Sequence, residues 1–316
     1  MSSNTGIKKI FTKLENCINN GNYYEAHQMY RTIYFRYLGQ KKYEDLIQLL
    51  YEGSKLLLKK QQFTSGADLG ILLIDVLIKS NTEPSEIYFD KLSELFHLMT
   101  PLMPERDTFR QNAMNWSSLM SSYKTGHPEL HKKFAKLYWQ EKNYVLARHH
   151  YLHTNDGSGC AEMLLDFHQN QGYSNEVDLF ITQTVLQYLC LKNKETAKIL
   201  FKAYTEQHPQ INKNQPPYTY PLLNFVFFLL ETIESGKQPV FTILCQTYSP
   251  SLNRDPTYLQ YLNKIGQLFF NIQTNRQRSS GIFNSLIQSF FGNMDSENSE
   301  QDLQMFDSSF TTADID

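Results

Sequence analysis

The sequence has few cysteines, and they lie far from one another along the chain. Only four occur among 316 residues, and no two of them form a CxxC pair. This spacing gives no sign of a disulfide framework. We therefore expect the thiols of Cys17, Cys160, Cys190 and Cys245 to be small buried apolar groups in a reducing compartment.

Long apolar runs are also missing. The most apolar stretch, residues 222–230, is interrupted by Asn224, and it is shorter than the roughly 20 residues that a membrane-spanning helix needs. No apolar segment follows the polar residues at the N-terminus, so no secretory signal is predicted. We expect a cytosolic protein without a membrane span.

Charge of one sign is not in excess. The 30 Lys and Arg residues nearly balance the 32 Asp and Glu residues, which gives a formal net charge of -2. This balance predicts no general attraction to nucleic acid or to an anionic membrane.

Motifs that mark common catalytic sites are absent. The sequence contains no P-loop lysine motif, no GxSxG motif and no kinase signature. Residues 156–160 (DGSGC) are glycine-rich, but they lack that lysine and follow no predicted strand, so we predict a tight turn between helices. The sequence predicts no catalytic residue and no cofactor, and we expect a protein that is not an enzyme.

One catalytic alternative stays open at a group of histidines. His149 and His153 are four residues apart, with His150 between them and Cys160 downstream. Two histidines at this spacing share a helix face and can bind one metal ion. A metal-dependent hydrolase is therefore the alternative function, although the glutamate of an HExxH motif is missing. The other interpretation places these histidines in a seam between helices or on the surface.

The chain does contain an internal repeat of about 20 residues. Each repeat has an aromatic residue followed three positions later by a smaller one, and the pairs are Tyr23 with Ala26, Tyr43 with Leu46, Phe63 with Gly66, and Tyr144 with Ala147. One helix and a short turn fill such a period, and two repeats make a helical hairpin of the tetratricopeptide size class. We expect the aromatic residue that begins each helix to pack into a small-residue notch of a neighbouring helix.

Apolar residues recur at helical spacing, and no sustained alternation predicts a large sheet. With 41% hydrophobic and 14% aromatic residues, the chain can bury a continuous core. The predicted fold is all-α, a right-handed α-solenoid of tetratricopeptide-like hairpins. A short β-hairpin or an extended loop is expected near 209–221, where four prolines interrupt the helical pattern. Tyrosines on this stiff segment favour partner binding, with a plain connector as the equal alternative.

Three regions are predicted along the chain. Residues 1–140 form an N-terminal helical-repeat half, and residues 141–273 form a C-terminal half. Residues 274–316 form a flexible tail with a short amphipathic helix at 282–291 and an acidic, disordered end. The apolar stripe of that helix consists of Phe283, Leu286, Ile287, Phe290 and Phe291. It can bind back onto the helical array, enter a partner's groove or contact a membrane surface.

The second helix of the N-terminal half carries polar and aromatic residues of the kind enriched in binding hot spots. Tyr24, His27 and Arg31 are spaced to share a helix face. Tyr34 and Tyr37 follow, and they are either part of this surface or part of the core.

Several segments in the same order resemble the Golgi to ER traffic protein four family. The match spans roughly residues 8–272, and its number of segments makes it specific. The matching segments are GNYYEAHQMYRT (21–32), ADL (67–69), NWS (115–117), GHPELH (126–131), EVD (176–178), LCLKN (189–193), PLLNF (221–225) and GQLFF (266–270).

This resemblance implies an α-solenoid scaffold that works in the targeting of tail-anchored membrane proteins to the ER. It implies that the N-terminal half binds a targeting ATPase, and that the C-terminal half holds a ubiquitin-like protein or a larger scaffold carrying one. The implied ATPase-binding residues are Tyr24, His27, Arg31, Arg36, Asp68 and Asp75. The implied residues for the ubiquitin-like partner are Pro209, Pro217, Tyr218 and Tyr220.

A structural helical-repeat subunit of another complex is a further alternative. Such subunits of the proteasome or signalosome type usually end in a winged-helix module that contains strands. Residues 240–316 show no strand pattern of that kind.

Overall fold

The structure, a computed structural model, describes residues 2–212 and 216–272, with the backbone alone for residues 2–8. The predicted tail at 274–316, including its segment 282–291, lies outside the described residues. The described residues form fifteen helices and no strand. The helices are α1 (Ser2–Asn19), α2 (Tyr23–Gly39), α3 (Tyr43–Lys59), α4 (Phe63–Lys79), α5 (Glu86–Leu98), α6 (Pro104–Leu119), α7 (Pro128–Gln140), α8 (Tyr144–Tyr151), α9 (Gly157–Gln171), α10 (Val177–Cys190), α11 (Lys194–Gln207), α12 (Pro221–Ser235), α13 (Gln238–Thr247), α14 (Ser249–Leu252) and α15 (Thr257–Phe270).

The repeat of 20 residues is confirmed, because α2, α3 and α4 begin 20 residues apart and each has 17 residues. The turn between α2 and α3 shows how so short a connection is made. The Lys41 N–H donates to the Leu38 carbonyl and the Lys42 N–H donates to the Tyr37 carbonyl, at 3.1 and 3.0 Å. These two bonds form a Schellman motif, which satisfies carbonyls at the end of one helix. Lys42 is already the N-cap of α3, so one residue ends the turn and begins the next helix.

The chain forms two compact units. Among the described residues, the first comprises 2–143 and 149–154, and the second comprises 144–148, 155–212 and 216–272. In the first unit each of the helices α2 to α5 packs against the next helix and also against the next but one. That is the contact pattern of stacked helical hairpins, as the sequence predicts.

The small-residue notches exist in the first unit, but other aromatic residues fill them. A methyl group added at Gly53 would lie 2.6 Å from the ring of Tyr30, and one added at Gly70 would lie 2.9 Å from the ring of Phe109. The helix-starting residues Tyr23, Tyr43 and Phe63 are only half-buried. The glycine in the first turn of α4, Gly66, faces Leu58 at 2.6 Å. The side chains nearest to these glycine notches are therefore not the three helix-starting rings, and the expectation is not met there.

In the second unit α10 is the central helix, with α9, α11, α12 and α15 around it. Residues 156–160 are not a tight turn between helices, because α9 begins at Gly157. The Asp156 carboxylate accepts a hydrogen bond of 2.9 Å from the Gly159 N–H and caps the helix. The absence of a side chain lets Gly157 approach α11, where an added methyl group would lie 2.7 Å from the Thr196 carbonyl oxygen.

The segment between α11 and α12 is a loop in its described parts, 208–212 and 216–220, and neither part forms a strand. Asn224 of α12 holds this loop with two hydrogen bonds of 2.7 Å, one from the Tyr218 N–H and one to the Tyr218 carbonyl. The predicted β-hairpin does not occur in these described parts, and residues 208–211 form a turn in which the Ile211 N–H donates to the His208 carbonyl at 3.2 Å.

No helix among the described residues is both long enough and apolar enough to cross a membrane. The four cysteines are buried and form no disulfide, which confirms that they serve as small buried groups.

Candidate functional site

The predicted N-terminal surface centres on contacts between α2 and α4, which we call the α2–α4 face. The Asp68 carboxylate lies 2.7 Å from His27 Nε2 and 3.2 Å from Arg31 Nη1. Two turns further along α4, the Asp75 carboxylate accepts hydrogen bonds of 2.5 Å from the Tyr34 hydroxyl and 2.7 Å from Lys79 Nζ. The structure thus brings His27, Arg31 and Asp68 together and places Asp75 beside them.

The partners on this face are two repeats apart, and the solenoid geometry explains the pairing. Alternate helices run parallel, so equivalent positions of α2 and α4 lie side by side. His27 with Asp68 and Tyr34 with Asp75 are each separated by 41 residues, about twice the period of 20.

Burial raises the pKa of the Tyr34 hydroxyl, and the bond to the Asp75 carboxylate raises it further. The bond to Asp75 is also the main reason why the pKa of Lys79 is raised. Asp68 and Asp75, which are predicted to bind the ATPase, already form ion pairs with Arg31 and Lys79 of this chain. A binding partner must therefore share or displace Arg31 and Lys79.

The other two predicted residues of this region are more accessible. The side chain of Tyr24 is 75% exposed, whereas His27 is only 8% exposed, so the two do not form one open surface. Arg36 is exposed and forms no ion pair with any described residue. Tyr34 and Tyr37 are buried, which places both rings in the core and leaves the Tyr34 hydroxyl at the rim.

The sequence analysis missed a second polar row, on the odd-numbered helices of the first unit. Lys55 Nζ of α3 lies 2.7 Å from the Glu94 carboxylate of α5, and Tyr51 also donates to that carboxylate. Lys133 of α7 lies 2.7 Å from both Glu86 and Asp90 of α5. The separation of 43 residues between Tyr51 and Glu94 is again about two repeats, and this spacing could have revealed the pairs.

Burial alone would raise the pKa of the Glu94 carboxyl, but the hydrogen bonds from Lys55 and Tyr51 outweigh it and lower the pKa. Partly exposed ion pairs of this kind contribute about 1 kcal/mol or less each. These ion pairs therefore contribute more to the alignment of α3, α5 and α7 with one another than to the stability of the fold.

The histidines of the alternative function lie in a cluster that belongs to the first unit. His131 Nε2 is 3.0 Å from the Thr125 carbonyl, and His131 Nδ1 is 2.9 Å from His150 Nδ1. Since a carbonyl can only accept, His131 Nε2 carries its proton, His131 Nδ1 accepts, and His150 Nδ1 donates. Burial lowers the pKa of His131 to about 3 and that of His150 well below its usual value, so both rings are neutral.

This arrangement does not favour the metal-dependent hydrolase. The ring of His150 is fully buried and directed at His131, while the ring centroids of His149 and His153 lie 5.3 Å apart. Within 2–212 and 216–272, no three His, Cys, Asp or Glu side chains are placed to hold a metal ion together. Cys160, which follows these histidines in the sequence, is fully buried in α9, and α9 belongs to the second unit.

The predicted residues of the proline-rich loop are accessible to different degrees. Pro209 and Pro217 are exposed, whereas Tyr218 and Tyr220 are half-buried. The Tyr218 ring makes edge contacts with Phe201 of α11 and Phe227 of α12, at 5.8 and 6.4 Å between centroids. Tyr218 therefore anchors the loop, and Pro209 and Pro217 lie on its outer surface.

Comparison with known proteins gives consistent matches. The family model described as Golgi to ER traffic protein 4 matches residues 40–291. A Golgi to ER traffic protein 4 homolog from Oryzias latipes is 45% identical over 300 residues, 95% of this chain and 92% of that one. The homolog from Homo sapiens is 44% identical over 297 residues, 94% and 90% of the two chains.

A solved structure agrees with the sequence matches. A crystal structure of C. therm. Get4 superposes with a TM-score of 0.77 at 25% identity, over 93% of this chain and 99% of that one. The helical-solenoid fold class is thereby confirmed, while its right-handed sense stays a prediction. With matches over almost the whole chain in sequence and in structure, this protein belongs to the Golgi to ER traffic protein 4 family.

Proposed function

We propose that this protein is a non-enzymatic cytosolic scaffold in Golgi to ER traffic, which helps to target tail-anchored membrane proteins to the ER. It would hold a targeting ATPase and a ubiquitin-like co-chaperone complex at the same time. The observation that carries this proposal is the similarity to Golgi to ER traffic protein 4 homologs over nine-tenths or more of both chains. A match of that length favours a shared role over a shared domain.

The ATPase is proposed to bind at α2 and α4 in the first unit. Tyr24 and Arg36 support this assignment, because they are exposed and belong to residue types that dominate binding energies. Arg31 and Asp68 are also partly exposed. An ion pair at the rim can exchange partners at little cost, so the partner gains charge complementarity without unfolding the helices.

The ubiquitin-like partner is proposed to bind at the proline-rich loop of the second unit. Prolines fix backbone dihedrals, and Asn224 holds the loop through both polar groups of the Tyr218 backbone. A surface that is already ordered loses little conformational entropy on binding.

A capture experiment tests both assignments. The full-length protein and its variants would be incubated with cytosol, and the bound proteins would be identified and quantified by mass spectrometry. Reversal of Asp68 would disturb the buried His27 as well as any partner, so we prefer the exposed positions. The variants are Tyr24→Ala with Arg36→Glu for the first unit, and Pro209→Ala with Tyr220→Ala for the loop. Lys136→Glu reverses another exposed base, on α7, and is the matched control.

We expect the first double variant to retain the ubiquitin-like partner and to lose the ATPase by tenfold or more, which corresponds to about 1.4 kcal/mol. The loop variant should show the reverse, and Lys136→Glu should retain both partners. If the wild-type protein captures neither partner, the proposed function is wrong. If both double variants behave like Lys136→Glu, the function stands and the two surfaces are wrongly assigned.

A further inference from the structure

The second unit carries an apolar groove between α12 and α13, which we call the α12–α13 groove. The apolar part of its lining includes Phe228 on α12 and Val240, Ile243 and Leu244 on α13, and the polar part includes Glu231 and Lys237. Its volume is about 440 Å³, within the range of sites that bury a ligand. Phe228, Val240 and Ile243 are 43%, 44% and 61% exposed. Three large apolar side chains in one groove therefore face solvent without a cover among the described residues.

The opposite face of α13 is covered by α15, the last helix of the described chain. The ring of Phe241 stacks on that of Phe270 of α15, with 4.5 Å between centroids. After α15 the Ile272 N–H donates to the Gly266 carbonyl at 3.1 Å, so the chain turns back along its own helix. A methyl group added at Gly266 would lie 3.2 Å from Ile272 and 3.4 Å from Phe241. The chain therefore leaves the described structure directly beside α13.

The next apolar segment along the sequence begins at Phe283, and the chain between Ile272 and Phe283 is long enough to bring it to the groove. Ten residues, 273–282, separate Ile272 from Phe283. An extended chain of that length spans about 35 Å, whereas α13, with its ten residues, is about 15 Å long. The connection is long enough to carry residue 283 to either end of the groove.

The segment also matches the groove in chemistry and in length. Its predicted stripe recurs at i, i+3, i+4, i+7 and i+8 from Phe283 to Phe291, about 12 Å along a helix. Val240, Ile243, Leu244 and Thr247 have the corresponding spacing on α13. Residues 282–293 contain no Asp, Glu, Lys or Arg, so the segment itself brings no charge to the apolar part of the groove.

We propose that residues 283–291 bind the α12–α13 groove of the same molecule as an amphipathic helix. A tethered segment reaches its site at a high effective concentration, so that modest apolar burial suffices for binding. The segment thereby covers Phe228, Val240 and Ile243, and any other protein that uses the groove must first displace it. This inference is independent of the function proposed above.

Hydrogen exchange of the full-length protein, followed by mass spectrometry, tests the proposal. The amides of 283–291 should exchange about tenfold or more slowly than those of an unstructured peptide of the same sequence. Ile243→Arg places a charge in the groove at an exposed position and should abolish this protection. Ile199→Arg is the matched control, because Ile199 is also exposed (48%) but lies on α11 outside the groove.

A second pair of variants changes the segment itself. Ile287→Glu with Phe290→Glu should remove the protection, whereas Ser285→Glu with Gln288→Glu, on the polar side of the stripe, should preserve it. Far-ultraviolet circular dichroism would check that the helical array is unchanged in each variant.

Concentration and membranes distinguish the other possible occupants. Protection that is equal from dilute to concentrated solution supports binding within one molecule. Protection that grows with protein concentration, together with dimers in sedimentation, would overturn the proposal in favour of a second copy. Protection that appears only with added vesicles of neutral phosphatidylcholine would overturn it in favour of a membrane surface. The proposal also fails if 283–291 exchanges freely in the wild-type protein or stays protected in Ile243→Arg.

Discussion

Single residues in the turns of the first unit hold a backbone conformation that usually favours glycine. Lys41 and Gln61 have φ angles of 56° and 60°, at the position that Gly21 occupies one repeat earlier with φ 75°. A side chain costs about 1 kcal/mol or more in this left-handed region, because its Cβ approaches the backbone. The same left-handed position thus recurs every 20 residues, at Gly21, Lys41 and Gln61. Of these three turns, only the first has a glycine there.

We expect Gln61→Gly to stabilise the protein by about 0.5–1 kcal/mol. The relief of the left-handed strain exceeds the entropy that glycine adds to the unfolded chain. Urea unfolding of the wild type and the variant measures the difference. Gly21→Ala is the reverse control and should destabilise by about 1 kcal/mol, and a neutral or destabilising Gln61→Gly would contradict this account of the turn.

The buried pair His131 and His150 makes the first unit sensitive to acid. The pKa of His131 and that of His150 are lowered by burial in the folded state, whereas both titrate near 6.5 when the chain is unfolded. Below pH 6.5 the unfolded chain therefore binds more protons than the folded chain. The free energy of unfolding should fall with decreasing pH by about 1.4 kcal/mol per pH unit for each histidine, down toward the lowered pKa values.

Unfolding by urea between pH 6.5 and 5.5 checks this pH dependence. His150→Phe should reduce the slope, because its ring fits among the surrounding Phe134 and Tyr138 rings without a titrating group. His97→Gln, at an exposed position of α5, should leave the slope unchanged. Equal slopes in all three proteins would contradict a role of the buried pair.

At the scale of helices, the close approach of two helices depends on glycines. In the sequence these glycines are seen only as interruptions of the helical pattern. Gly157 begins α9 and lies against the backbone of α11, near Thr196 and Leu200. A breaker pattern predicts a loop there, whereas Asp156 caps the helix and the glycine permits the contact. The difference arises because a glycine at the start of a helix and a glycine in a turn look alike in sequence.

We expect Gly157→Ala to destabilise the second unit by about 1–3 kcal/mol, because the new methyl group meets backbone atoms that cannot rotate away. Gly39→Ala is the matched control at the end of α2, with no atom within 4 Å of the added methyl group. That change should be neutral or stabilising by up to about 1 kcal/mol. Thermal unfolding of both variants measures the effect, and equal melting temperatures would refute the close contact.

At the scale of the whole molecule, contacts distant in sequence close the second unit. The Asp178 carboxylate is fully buried at the start of α10, and Arg254 Nη1 donates to both of its oxygens, at 2.9 and 2.8 Å. Arg254 also donates to the Asn175 carbonyl at 2.8 Å. This side chain thus links the segment before α15 to α10 across 76 residues.

Arg254→Ala should destabilise the protein by about 3 kcal/mol, because it leaves the buried Asp178 carboxylate without its partner. The double variant with Asp178→Asn should recover part of that loss, since the charge is then removed as well. Urea unfolding of the single and double variants measures both steps. If the double variant is no more stable than Arg254→Ala, the buried charge is not the cause.

The sequence by itself determined the helical-repeat class, the starts of α2, α3 and α4 and the membership in the family. The physical reason is that helical periodicity and short turns are local, so residues within one repeat specify them. The burial of Tyr34 and Tyr37 stayed open, because an amphipathic aromatic residue suits both a core and a surface.

Only the tertiary structure decided which side chains meet across repeats. The pairing of Asp68 with His27 and Arg31, the second row at Glu94 and the bond between His131 and His150 all join residues 19 to 43 positions apart. Their contacts depend on how the helices stack on one another, and that stacking leaves no mark in the sequence of any single repeat. The sequence marks residue types that are common in interfaces, whereas the stacking of the helices decides which of them, such as Arg36 and Tyr24, stay exposed.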